Sequence, residues 1–100
     1  MSVNAKPLYT YYKNQGEFGY KIGIEVVDVD GEPVTITGDV NFIFYDTLGI
    51  KNTKSGLKTE NTAYYDVLVT DFLTAGSYRF WMQCFNREIY GPFELKILKV

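Results

Sequence analysis

Apolar and polar residues alternate with a period of two through most of the chain. No useful length of it carries the 3.6-residue period of a helix. The longest alternating run is FGYKIGIEVVDV, residues 18–29, in which Tyr20, Ile22, Ile24 and Val26 share one face while Lys21 and Glu25 share the other. DVNFIFYD, residues 39–46, repeats the pattern: Val40, Phe42 and Phe44 face one way, and Asn41, Ile43 and Tyr45 face the other. Strands are also expected over PLYTYYK (7–13), AYYDVLV (63–69), SYRFWMQCF (77–85) and IYGPFELKILKV (89–100), the last two forming a hairpin around Asn86-Arg87-Glu88. PVTI (33–36) reads as a short edge piece, because its proline cannot donate to a ladder. IKNTKSGLKT (50–59) is polar and reads as a solvent-exposed strand or loop. Turns fall at Asn14-Gln15-Gly16, at Leu48-Gly49 and at Asp30-Gly31, where glycine accepts a positive φ at little cost.

Seven or so short strands at this spacing predict a two-sheet sandwich or a barrel. The stretch TDFLTAGSYRFWMQC, residues 70–84, points to the sandwich. A tyrosine at the start of a late strand, just past a glycine-containing bend, is the pattern of a tyrosine corner, whose ring packs inward while its hydroxyl bonds the backbone upstream. Gly76 and Tyr78 occupy those places. Immunoglobulin domains carry a cysteine two residues after that tyrosine; here Phe80 fills the position. The expected fold is therefore all-β: a single immunoglobulin-like antiparallel β-sandwich domain over residues 1–100, of about seven strands and without a disulfide.

Composition narrows the chemistry. One hundred residues make one domain with one sizeable core, and nine tyrosines lean the chain toward β structure. A net charge of −2 gives no broad attraction to nucleic acid or to anionic lipid, so neither is expected as a partner. Cys84 is the only cysteine, so the core must hold by packing alone, which fits synthesis in a reducing cytoplasm. No charged-then-apolar leader, no long apolar run and no Asn-x-Ser/Thr acceptor is present, and membrane insertion is not expected. The absence of histidine removes the commonest general base and metal ligand. Cys84 alternates with core residues, where a thiol is usually inert. Asp39, Asp46, Asp66 and Asp71 sit at strand ends and turns, where solvated aspartates belong. The DVDGE segment (Asp28, Asp30, Glu32) lacks the twelve-residue spread and final bidentate glutamate of a calcium loop, and reads as a hairpin turn. No catalytic residue, metal ligand or cofactor site is assigned, and an enzyme is not expected.

Two segments resemble a known family. DVDGEPVTITGDVNFIFYDTLG (28–49) has the cadence D-x-D-G-x-P-V-x-[LI]-T-G-x-x-V-x-F, and TDFLTAGSYRFWMQC has the cadence x-D-x-x-T-A-G-x-Y. Together they resemble the N-terminal domain of phage baseplate upper proteins and related immunoglobulin-like domains of tailed-phage virions. The likeness spans about residues 24 to 100 and rests on turn and corner features. It implies a sandwich that docks onto other virion proteins and does no chemistry. Such a domain usually leads into a stalk or receptor-binding part, whereas this sequence ends at Val100, so the expectation covers tail, baseplate and head-decoration roles alike.

Candidate contact residues follow from alternation. If Tyr78 points inward, so do Phe80, Met82 and Cys84, while Arg79, Trp81, Gln83 and Phe85 point outward. Ile43, Tyr45, Trp81 and Phe85, with Arg79 beside them, then form one apolar patch of the kind monomers rarely expose. Either a partner covers it, or Leu8, Tyr9 and Tyr11 fold over it from within the chain. The expected partners are other virion proteins, with self-association and a host-surface glycan as further candidates. Tyr9, Tyr11, Tyr12 and Tyr64 are the aromatics that would serve a carbohydrate-binding module, the rival reading.

Overall fold

The computed structural model describes residues 3–100, which form nine strands and no helix. The strands are β1 (Val3–Pro7), β2 (Tyr11–Asn14), β3 (Lys21–Asp28), β4 (Asn41–Tyr45), β5 (Lys51–Ser55), β6 (Leu57–Thr59), β7 (Thr62–Asp66), β8 (Gly76–Cys84) and β9 (Glu88–Leu98). They make a sandwich of two sheets, one ordered β1-β3-β7-β6 and the other β2-β9-β8-β4-β5. Every pairing is antiparallel except β2 with β9, which is parallel.

The period-two residues supply the core from both sheets. Ile22, Ile24, Val26, Ala63 and Tyr65 face Phe42, Phe44, Phe80, Met82, Cys84 and Leu95, and all are buried. Phe42, Phe44 and Phe80 lie 5.3–6.3 Å apart, centroid to centroid, in the tilted and offset arrangements that aromatic quadrupoles favour. Cys84 is free and fully buried. No disulfide ties the sheets together, and ring volume fills the space between them.

The tyrosine corner is present. Tyr78 is buried, and its hydroxyl donates to the Thr74 carbonyl at 2.7 Å. Gly76 opens β8 at φ +140°, and a Cβ there would collide with the side chain of Thr47, so the bend needs glycine on both counts.

The N-terminal segment departs from the expected single strand over residues 7–13. β1 ends at Pro7, which cannot donate, and residues 8–10 carry the chain across to the other sheet, where β2 runs beside β9. Tyr11 secures this crossing. Its hydroxyl donates to the Gly23 carbonyl (3.0 Å) and accepts from the Gly23 N–H (2.7 Å), taking the place of a ladder partner just beyond the point where β1 leaves β3. Tyr11 is therefore a core residue and not part of an exposed platform.

Three further boundaries differ from the alternation. PVTI forms no strand: Pro33 makes one isolated bridge to Val27, and Ile36 is buried. The polar 50–59 segment is two strands, β5 and β6, which belong to different sheets. Phe18, Leu68 and Val69 fit the alternation but lie outside β3 and β7, because Val67 hydrogen-bonds Tyr20 and Gly19 and the chain then turns back. That turn is held by Asp71, which is buried rather than solvated. Its carboxylate accepts from the Tyr65 hydroxyl and the Leu68 N–H and pairs with Lys54 at 3.4 Å.

Candidate interaction surface

On the outer face of the five-stranded sheet, β4 and β8 align Ile43 opposite Trp81 and Tyr45 opposite Arg79. The Tyr45 and Trp81 rings meet edge to face at 5.2 Å. A β-bulge between Phe80 and Met82 sets two β9 residues, Gly91 and Pro92, opposite Trp81 alone. Gly91 lies so close that a Cβ on it would sit 2.9 Å from Trp81 Cδ1. The indole is thus wedged against backbone on one side and remains only half-buried.

Around it lies a shallow cleft of about 340 Å3 lined by Ile43, Tyr45, Lys51, Arg79, Trp81 and Ile89. Four of the five residues expected to form the patch line this cleft. Phe85 does not: it lies beyond the end of β8 with φ +48°, its N–H bonds the Thr37 carbonyl, and its ring packs against Tyr90 and the core. The alternation that would have turned it outward stops at Cys84. Ile89 takes its place in the cleft at 54% exposure. It pairs with Gln83 across the hairpin, in the register that the turn at residues 85–87 sets.

Leu8, Tyr9 and Tyr11 do not cover this face. Tyr11 is in the core, Leu8 packs over Gly23 of the opposite sheet, and Tyr9 is 69% exposed. β2 lies beyond β9, separated from β4 by both β9 and β8.

Two other surfaces bear on function. A cleft of about 570 Å3 is lined by Tyr9, Tyr12, Lys13 and Tyr20 among others, and Lys13 Nζ sits 4.6 Å from the centre of the Tyr20 ring. Burial, with Glu17 and Asp71 nearby, pushes the Tyr20 hydroxyl up to about 12. Tyr64, the remaining aromatic of the sugar-platform set, lies under Lys21, which pairs with Asp66. The second surface is a set of neighbouring loops carrying exposed Phe18, Leu48, Ile50, Leu68, Val69 and Leu73. These loops are tied together by the Val67 backbone bonds, by Gln15 Nε2 donating to the Leu73 carbonyl, and by a cleft shared between Ile50 and residues 70–72. Phe18, Leu68 and Val69 escaped the sequence reading because they fit as continuations of the strands expected over residues 18–29 and 63–69.

Nothing in these surfaces sets up a nucleophile. Burial, with Glu88 nearby, raises the Cys84 thiol to about 11, so it stays protonated at neutral pH. Asp28 spends one carboxylate oxygen accepting the N–H groups of Asp30 and Glu32, which is turn capping. No protein-family model matches the chain, and no curated protein matches it as a relative.

Proposed function

We propose that this chain is a non-enzymatic immunoglobulin-like module that docks onto other proteins through the outer face of its five-stranded sheet. The setting is the one the sequence resemblance implies, a tailed-phage virion assembled in the host cytoplasm, in which this chain is a tail, baseplate or head-decoration component. Strand order supports the immunoglobulin-like reading. With β2 taken as a continuation of the first strand, the sheets correspond to an A-B-E-D layer and a G-F-C layer extended by one strand. The corner at Tyr78 supports it too.

The observation that carries the docking reading is the partly exposed Trp81, flanked by Ile43, Tyr45 and Ile89 and covered by no segment of its own chain among the described residues. Tryptophan and tyrosine dominate binding energy at interfaces, where truncating a central tryptophan typically costs about 2 kcal/mol or more. A density map of the assembled particle tests this: Trp81 and Ile43 should lie beneath another protein chain, and Trp81→Ala should weaken incorporation by about 30-fold or more. A map with that face open to solvent, or a Trp81→Ala chain that incorporates normally, would refute it.

One observation favours a second reading, a glycan-binding module. Tyr9 and Tyr12 are both exposed at the rim of the larger cleft, beside Lys13. Sugar binding would require those rings to remain open in the particle, and a glycan array with Tyr9→Ala and Tyr12→Ala variants separates the two readings.

A further inference from the structure

The cleft around Trp81 has a complement in charge elsewhere on the same chain. The loop after β3, residues 28–32, is rigid for its length. The Asp28 carboxylate accepts from the N–H groups of Asp30 and Glu32, the Asp28 N–H donates to the Glu32 carbonyl, and the Gly31 N–H donates to the Asp28 carbonyl. This locked turn presents Val29 to solvent at 71% exposure, with the exposed carboxylates of Asp30 and Glu32 beside it.

The cleft is the complement. Its floor is apolar, its two charged lining residues are Lys51 and Arg79, and no carboxylate lines it. Glu94 stands opposite Arg79 on β9, and the two form no ion pair. Lys51 and Arg79 both stand opposite Tyr45, one on each neighbouring strand, which sets their backbones about 10 Å apart. That span suits two carboxylates placed two residues apart on a turn. A cleft of about 340 Å3 also has ample room for a valine side chain.

We propose that the Val29 loop of one copy inserts into the Trp81 cleft of a second copy, with Asp30 and Glu32 meeting Lys51 and Arg79. This rests on the reading of the cleft as a protein-docking site, and it names the partner. Loop and cleft are different surfaces, so the contact is head-to-tail: each copy offers both halves, and the product is a closed ring or an open filament. One loop in one cleft buries less than a standard interface, which places the contact among weak, transient ones. It gains strength where copies are held close together in a larger assembly.

Sedimentation of the purified chain tests this, with Trp81, the only tryptophan, as a fluorescence reporter. Wild type should grow in weight-average mass above 11.5 kDa as concentration rises, and its indole emission should shift to the blue. Val29→Asp should abolish this, and so should Lys51→Glu with Arg79→Glu; urea midpoints serve as the check that both variants fold. Mixing the two variants should give one-to-one dimers and nothing larger, because a single working contact remains. Combining Asp30→Lys and Glu32→Lys with the cleft reversals in one chain should restore assembly. A wild type that stays monomeric to about 1 mM, well above the dissociation constants of weak specific pairs, overturns the self-docking proposal and leaves the cleft open to a different partner. Self-association that Trp81→Ala removes but Val29→Asp does not would likewise discard the loop and keep the cleft. Association insensitive to Trp81→Ala would count against both.

Discussion

Tyr11→Phe removes one oxygen atom and tests how the N-terminal strand is held. The Tyr11 hydroxyl makes two hydrogen bonds to the same residue, donating to the Gly23 carbonyl and accepting from the Gly23 N–H, and both residues are buried. After the substitution the carbonyl keeps a partner, because the Leu8 N–H also donates to it at 3.0 Å. The Gly23 N–H has no such substitute. Losing a satisfied bond costs about 0.5–1.5 kcal/mol, and stranding a buried donor costs about 1–3 kcal/mol in desolvation. The expected loss is therefore about 2–3 kcal/mol, a large fraction of the 5–15 kcal/mol typical of a whole domain. In thermal unfolding this lowers Tm by about 10–20 °C for a chain of this size. Urea titration followed by Trp81 fluorescence should show a lower midpoint with an unchanged slope, since the same surface is exposed on unfolding. Tyr45→Phe is the control, because Tyr45 makes no intramolecular hydrogen bond through its hydroxyl among those identified in the described residues. A Tyr11→Phe midpoint within about 0.5 kcal/mol of wild type would mean that water or a shift of β2 satisfies Gly23, and the pivot would be refuted.

Tyr78→Phe should cost less, about 0.5–1.5 kcal/mol, because Thr74 is exposed and water can replace the lost partner; an unchanged denaturation midpoint would remove the corner hydroxyl from the account. Gly91→Ala should destabilise by about 1–3 kcal/mol through overpacking, since the new methyl meets both Trp81 and the Phe80 carbonyl, and Trp81 emission should shift in the folded state. Alkali should unfold the protein earlier than a surface-only titration would. Burial raises the Cys84 thiol from 9.0 to about 11, so the folded state holds that proton more tightly than the unfolded chain does. The resulting stability is complete below pH 9 and is lost as pH rises toward 11; Cys84→Ala, compared with wild type by urea midpoint across that range, should flatten the fall.

The parts of the fold legible in the sequence were those where one face is buried and the other wet. Period two placed Ile22, Ile24 and Val26, and Phe42 and Phe44, because a sheet face either enters the core or does not. Tyr78 was legible because a local bend and a single hydroxyl define it. What failed was contextual. Tyr11 and Tyr12 look alike in sequence, yet one is pinned to Gly23 in the core and the other is exposed, a difference set by where Pro7 ends β1. Phe85 continues the alternation of β8 on paper, but the positive φ at residues 85–87 ends it in space. Asp71 looks like any turn aspartate until Tyr65, at the end of the preceding strand, and Lys54, from the other sheet, close over it. The bulge that sets Gly91 and Pro92 opposite Trp81 leaves no trace in spacing, since it is a property of two strands taken together.

Which surface can hold a partner follows from the shape of the sandwich. The strand edges are poorly suited to pairing with another chain. β1 ends in Lys6 and Pro7, β5 carries Lys51 and Lys54, β6 has three residues and β2 has four, and these are features that blunt edge-to-edge association. The apolar loops around Leu48 and Leu68 lie across one short dimension of the molecule, whose principal extents are 41 × 21 × 19 Å. A cross-section of that kind has a footprint of about 400 Å2, from the 21 × 19 Å extents. A sheet face runs along the long axis and offers about twice that area. Only there do an indole, a phenol ring and two aliphatic side chains stand together with cations at their margin. On the docking reading proposed above, the face carries the affinity and the loops add only a second contact, so Trp81→Ala should weaken docking far more than Leu48→Ser does. Quantitative incorporation or binding assays on the two variants would show the reverse order if the tip were the true anchor.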